Sequence, residues 1–129
     1  MKTCTPQLAD RMLLNPDLVA LVGQRVCLFQ AVQNAPLPDI VLVDITSSFN
    51  LNLAGADSMT IRRIQVTCRA KTYLEADAIG EVVLATMRAI KGPVGDFNVQ
   101  AAIPVSDTAF FDDTTNISHR NIDFRVHYT

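Results

Sequence analysis

Between Thr60 and Lys91 the hydrophobic pattern changes its period once, and sharply. From Arg63 to Ala70, Ile64, Val66, Cys68 and Ala70 alternate with Arg63, Gln65, Thr67 and Arg69. Successive side chains of a strand point to opposite faces, so this segment predicts a half-buried strand. Thr72-Tyr73-Leu74-Glu75 then reads as a capping box, in which hydroxyl and carboxylate each accept from the other residue's backbone N–H. Ile79, Val82, Val83, Thr86, Met87 and Ile90 follow at helical spacings. Acidic Glu75, Asp77 and Glu81 come early and basic Arg88 and Lys91 late, which suits the helix dipole. Gly92-Pro93 ends the helix.

The flanking segments follow the same rules. Pro6 to Leu21 predicts helix, with Leu8, Met12, Leu13, Leu18 and Leu21 inward and a break at Asn15-Pro16, because proline disfavours helical backbone in its predecessor. Gly23 serves as a C-terminal cap. Arg25 to Val32 is apolar on both faces, which predicts a central or doubly covered strand. A turn at Gln33 to Pro38 leads into an Ile- and Val-rich strand, Asp39 to Phe49. Leu51 to Met59 is a long connection, and Thr108 to Thr115 a second one that carries Phe110 and Phe111 beside Asp112 and Asp113. Between them Phe97 to Val105 alternates, with Pro104 marking an edge or a bulge. In the last strand, Arg120 to Tyr128, Ile122, Phe124, Val126 and Tyr128 share one face. The sum is an α+β fold: a mostly antiparallel sheet of about five strands, with one long helix and an N-terminal helix packed on one face.

Composition narrows the class. A chain of 129 residues, 49% hydrophobic and 19% charged, is expected to form one domain over 1–129 with a sizeable core. No apolar run approaches the roughly 20 residues that span a bilayer, and the first residues lack a signal-peptide core. Cys4, Cys27 and Cys68 are odd in number and widely spaced, which argues for reduced thiols made in a cytoplasm. A net charge of −2 lacks the basic excess that gripping phosphates requires, but suits a wall past which DNA travels.

Candidate chemistry is thin. His119, Asp123 and His127 share strand parity, yet residues four apart on a strand lie ~13 Å from each other, too far to share one ion; both histidines are expected on an exposed outer face. Asp107, Asp112 and Asp113 do not match a calcium loop. Cys68 and Cys27 read as core thiols and Cys4 as exposed. Asn116-Ile117-Ser118 matches a glycosylation acceptor without the secretory signal that would give it meaning. Nucleotide, nucleophile and zinc signatures are all missing from the sequence, so no catalysis, metal or cofactor is expected.

Two constellations suit contacts instead. One is the polar stripe Arg63, Gln65, Thr67 and Arg69, open to two readings: a solvated face, or a face that meets a subunit or DNA. The other is the apolar content of the two connections, Phe49, Leu51 and Leu53 in the first and Phe110 and Phe111 in the second. These side chains either fold back as satellite core or stand out as anchors for a partner.

The run Arg63-Ile64-Gln65-Val66-Thr67-Cys68-Arg69-Ala70-Lys71-Thr72-Tyr73-Leu74-Glu75-Ala76-Asp77-Ala78 resembles the central motif of tail completion (tail terminator) proteins of long-tailed bacteriophages. Leu18 to Val26, Pro36-Leu37-Pro38 before the second strand, Phe111-Asp112-Asp113, and Arg120 to Val126 fall in the family's order, so the resemblance covers nearly the whole chain. It implies a structural protein of the virion, assembled in the bacterial host cytoplasm and placed at the head-proximal tail end. Its partners would be further copies of itself in a ring, typically a hexamer, the tail tube protein and a head-side connector or stopper protein. DNA would pass only as cargo, and no membrane is involved. Parity and loop position, not the family motif, select Phe49, Leu51, Leu53, Phe110 and Phe111 as anchors and Arg63 and Arg69 for ion pairs between subunits. On that reading Arg69→Glu leaves the fold intact and weakens assembly. The alternatives are another head–tail connector or neck protein, or a small enzyme or ligand-binding domain with an unrecognised site.

Overall fold

The computed structural model describes residues 4–29, 36–50 and 59–129, with 46–50 and 59 defined by their backbone alone. Helices α1 (Thr5–Met12) and α2 (Pro16–Val22) precede strands β1 (Val26–Leu28), β2 (Asp39–Asn50) and β3 (Met59–Ala70). Helix α3 (Tyr73–Ala89) follows, then β4 (Gly92–Val94), β5 (Phe97–Asp112) and β6 (Ile117–Tyr128). The strands form one sheet in the order β1-β2-β3-β6-β5-β4. Every neighbouring pair is antiparallel except β1 and β2.

The long elements arise where the periodicity places them. Thr72 accepts from the Glu75 N–H at 3.2 Å and starts α3; the reciprocal bond of a full capping box is not among those of the described residues. Asn15 caps α2 by accepting from the Asp17 N–H at 3.0 Å. Its amide also donates to the Thr86 hydroxyl at 2.7 Å, tying the α1–α2 break to α3. Restarting the helix there shifts its phase. Leu8, Met12 and Leu18 are buried as expected, but Val22 takes the inward place expected of Leu21, and Leu13 is only half-buried.

The inner face of the sheet is apolar along its middle. Ile40, Leu42, Ile64, Val66, Cys68, Ile122, Phe124 and Val126 pack against Leu8, Met12, Leu18 and Val22 of the short helices and Ile79, Val83 and Met87 of α3. Each such side chain contributes roughly 1.5–3 kcal/mol on burial. Cys4, expected to be exposed, is fully buried in this core. Thr5 donates to the Asp44 carboxylate, and that bond draws the start of α1 onto the sheet.

Three expectations are corrected. Among the described residues the sheet has six strands where about five were expected, because β4 is a three-residue Gly-Pro-Val segment too short to carry a period. The strand expected over Arg25 to Val32 spans only Val26–Leu28, and it lies at the sheet edge, not in a central position. Phe29 ends it by adopting φ 67°; residues 30–32 lie outside the described residues. The long connection expected over Thr108 to Thr115 is mostly strand, since β5 runs to Asp112 and pairs with β6 up to Ile117. Only the turn formers between them make the turn. Asn116 takes φ 56° and donates to the Asp112 carbonyl at 2.7 Å, while Thr114 N–H donates to the Asp112 carboxylate at 3.0 Å. A register shift between Pro104 and Ser106 supplies the bulge foreseen at Pro104.

Cross-strand register fixes where the two hairpins point. Thr60 pairs with Tyr128, and ten residues on Ala70 pairs with Ser118. The β2–β3 connection and the β5–β6 tip therefore leave opposite ends of the sheet, ~33 Å apart at about 3.3 Å per residue.

Candidate functional site

All three helices lie on the inner face, so the outer face of β3 and β6 is left to polar residues. The stripe Arg63, Gln65, Thr67 and Arg69 stands there as expected, beside His119, Asn121, Asp123, Arg125 and His127. Both arginines of the stripe are engaged within the chain. Arg63 donates through Nε and Nη2 to one oxygen of Asp123, at 3.0 and 2.7 Å, and its side chain is still 45% exposed. Arg69 Nε lies 3.1 Å from Asp39 Oδ1, an ion pair without hydrogen-bond alignment. Asp39 is completely buried, and burial raises its pKa against the opposing pull of Arg69, Arg25 and His119.

Between these pairs the Thr67 hydroxyl donates to Asn121 Oδ1 at 2.8 Å. A shallow trough of about 310 Å³ crosses this end of the face, with Phe29 and Phe110 at its sides and Gln65, Thr67, Arg69, His119 and Asn121 among its lining. His119 stacks on Phe110 with ring centroids 4.4 Å apart. The two histidines, expected to be exposed, are half-buried, and each Nε2 is shielded without a hydrogen-bond partner among the described residues. Burial, then the Arg69 charge, lowers the His119 pKa. Among the described residues no cluster of three or more His, Cys, Asp or Glu is placed to hold a metal ion. No described helix is long and apolar enough to cross a membrane.

At the anchor positions the picture is mixed. Phe110 and Phe111 are about half exposed, and they sit on strand β5 and not in a loop. Phe110 pairs with His119 and Phe111 with Ser118, so the two rings belong to opposite faces. Phe49 pairs through its backbone with Thr60 near the far end of β2; Leu51 and Leu53 lie outside the described residues. Among the described residues the backbone of Phe49 lies at the opposite end of the sheet from Phe110 and Phe111.

Two features escaped the sequence. Tyr73 and Leu74, 61% and 77% exposed, open α3, and Leu74 joins Leu21, Pro38 and Ile79 in lining a groove of about 400 Å³. Their place off the Ile79–Val83–Met87 stripe is the signal that could have found them. The second is Arg120, which lies on the inner face although it is charged. It donates to Asp107 at 3.0 and 2.6 Å, to the Asp77 carbonyl at 2.9 Å, and to the Asp77 and Glu81 carboxylates at 3.2 Å. Its hydrogen bonds lower the Asp107 pKa. This cluster fastens β5 and β6 to the first turns of α3.

Comparison with known proteins agrees with this architecture. Residues 6–129 match the family described as Tail completion protein gp17. No curated protein matches the chain. Among solved structures, a chain of the "Virion of native gene transfer agent (GTA) particle" has the same fold, with a TM-score of 0.78 and 15% sequence identity over 94% of this chain and 90% of that one. The family match spans almost the entire sequence: this chain belongs to the tail completion protein family and is a structural protein of the phage virion tail.

Proposed function

We propose that this tail completion protein caps the head-proximal end of the tail tube as a ring of six copies, stops tube growth and presents a docking surface to a head-side connector or stopper protein. The observation that carries this reading is the placement of the contact elements. One sheet directs two hairpins to opposite ends, ~33 Å apart by strand rise, and leaves its outer polar face uncovered by helix. A subunit at a junction needs distinct surfaces for the tube, for the connector and for its neighbours. A ring subunit also joins its neighbours through two different patches, so that rotation closes the assembly.

Phe110 and Phe111 serve contacts at the β5–β6 tip, and Phe49, Leu51 and Leu53 form the second set of anchors. Arg63 offers its exposed guanidinium to a neighbour, while Arg69 holds the outer face through Asp39. The action is steric and templated, without covalent chemistry, and DNA crosses the ring only as cargo. Absolute mass by light scattering over a concentration series, with and without purified tail tubes, tests the ring. A discrete species near six subunits supports it; a monomer that also ignores tube ends removes it.

A further inference from the structure

We propose that the acidic β5–β6 tip of one copy, through Asp112 and Asp113, docks on the Arg63–Arg125 patch of the outer sheet face of a second copy. This rests on the self-assembly reading above and names its contact. Arg63 and Arg125 are direct cross-strand partners, an arrangement in which like charges repel. Asp123 relieves Arg63 from a diagonal position, but Arg125 is exposed and has no ion-pair or hydrogen-bond partner among the described residues. The outer face therefore carries a surplus cation. At the tip the Asp112 carboxylate accepts from the Thr114 N–H within the turn but, like the exposed Asp113, meets no cation in an ion pair among the described residues. The tip is a surplus anion.

These two sites cannot meet within one molecule. Arg125 pairs with Ile103, and Asp112 lies nine residues farther along β5, ~30 Å away at about 3.3 Å per residue. Complementary charges so far apart on one sheet pair between copies, as a heterologous contact. Each site also has an apolar neighbour to exclude water: exposed Phe110 at the tip, and exposed Ile103 beside Arg125. The chain's net charge of −2 favours a carboxylate partner for Arg125 over nucleic acid phosphate.

The test is charge reversal. Arg125→Glu and Asp113→Arg are made singly and together, with circular dichroism as the check on folding. Assembly is read by sedimentation velocity, and by counting labelled protein at tail-tube ends where the free protein stays monomeric. Each single reversal is expected to weaken assembly at least tenfold, and the double variant to recover most of it. Assembly that ignores both reversals overturns this contact and leaves the ring standing. A double variant as weak as the singles also overturns it. Wild-type protein that assembles neither in solution nor on tubes removes the ring and this contact together.

Discussion

Gly80 and Arg120 occupy one space: a Cβ built on Gly80 would lie 2.5 Å from both Cδ and Nη1 of Arg120. The missing side chain is what lets the guanidinium pass beneath α3 to Asp77, Glu81 and Asp107. Helix propensity alone would favour alanine at this position by ~1 kcal/mol. The clash reverses that sign, and Gly80→Ala is expected to destabilise the fold by ~1–3 kcal/mol. Chemical denaturation checks it. In an Arg120→Ala background the same change should cost much less, because the two residues share their space.

Arg120→Ala leaves three carboxylates facing one another. Their partial exposure limits the loss, expected at ~1–3 kcal/mol, below that of a fully buried pair. Asp107 also makes the loss depend on pH. Its folded pKa lies below the ordinary value of 3.8 because Arg120 donates to it. A depressed carboxyl contributes stability above its unfolded pKa and loses it as pH falls through the folded one. Urea midpoints from about pH 6 down to about pH 3 should therefore fall less steeply in Arg120→Ala than in the wild type.

Asp39 is buried and Arg69 is the nearest cation to it. Arg69→Ala strands that charge and is expected to cost ~3 kcal/mol at neutral pH, whereas Asp39→Asn should cost less. The raised Asp39 pKa sets the direction with pH. The folded state holds this proton more tightly than the unfolded chain, so the Arg69→Ala deficit should shrink as pH falls. Arg69→Glu, which parity alone treats as a surface change, places a second carboxylate against Asp39 and should unfold the protein more readily than Arg69→Ala. Thermal denaturation of the three variants ranks them.

Thiol accessibility gives an inexpensive check of the core. Burial pushes the Cys68 thiol up to about 12 and the Cys4 thiol up to about 11, and both are fully buried; Cys27 is half-buried. A thiol reagent at mildly alkaline pH should modify Cys27 quickly in native protein, and all three cysteines only after denaturation.

Much of this was legible in the sequence, and for a physical reason. β3 and α3 carry a clean period because each buries one face, so Ile64, Val66 and Cys68 announce the strand and Ile79, Val83 and Met87 the helix. Periodicity is silent where packing is not periodic. β4 is three residues long, and β1 is apolar on both sides although it lies at an edge. The β5–β6 hairpin is hidden because Phe110 and Phe111 are exposed on opposite faces and so read as an apolar pair in a connecting loop. Arg120 shares the parity of Ile122 and Phe124, and only its three carboxylates, 13 to 43 residues away in the chain, explain a cation there. Alternation alone shows which face the arginine stripe shares, but its partners Asp39 and Asp123 come from neighbouring strands whose register no single segment reveals.

The central claim is that a ring of this protein ends the tail tube. Purified tubes incubated with gold-labelled protein, imaged by electron microscopy and then supplied with fresh tube subunits, test it most directly. The account requires label at one end of each tube, six copies per labelled end, and no further growth from that end. Label along the tube walls, or growth that continues past the label, would contradict it.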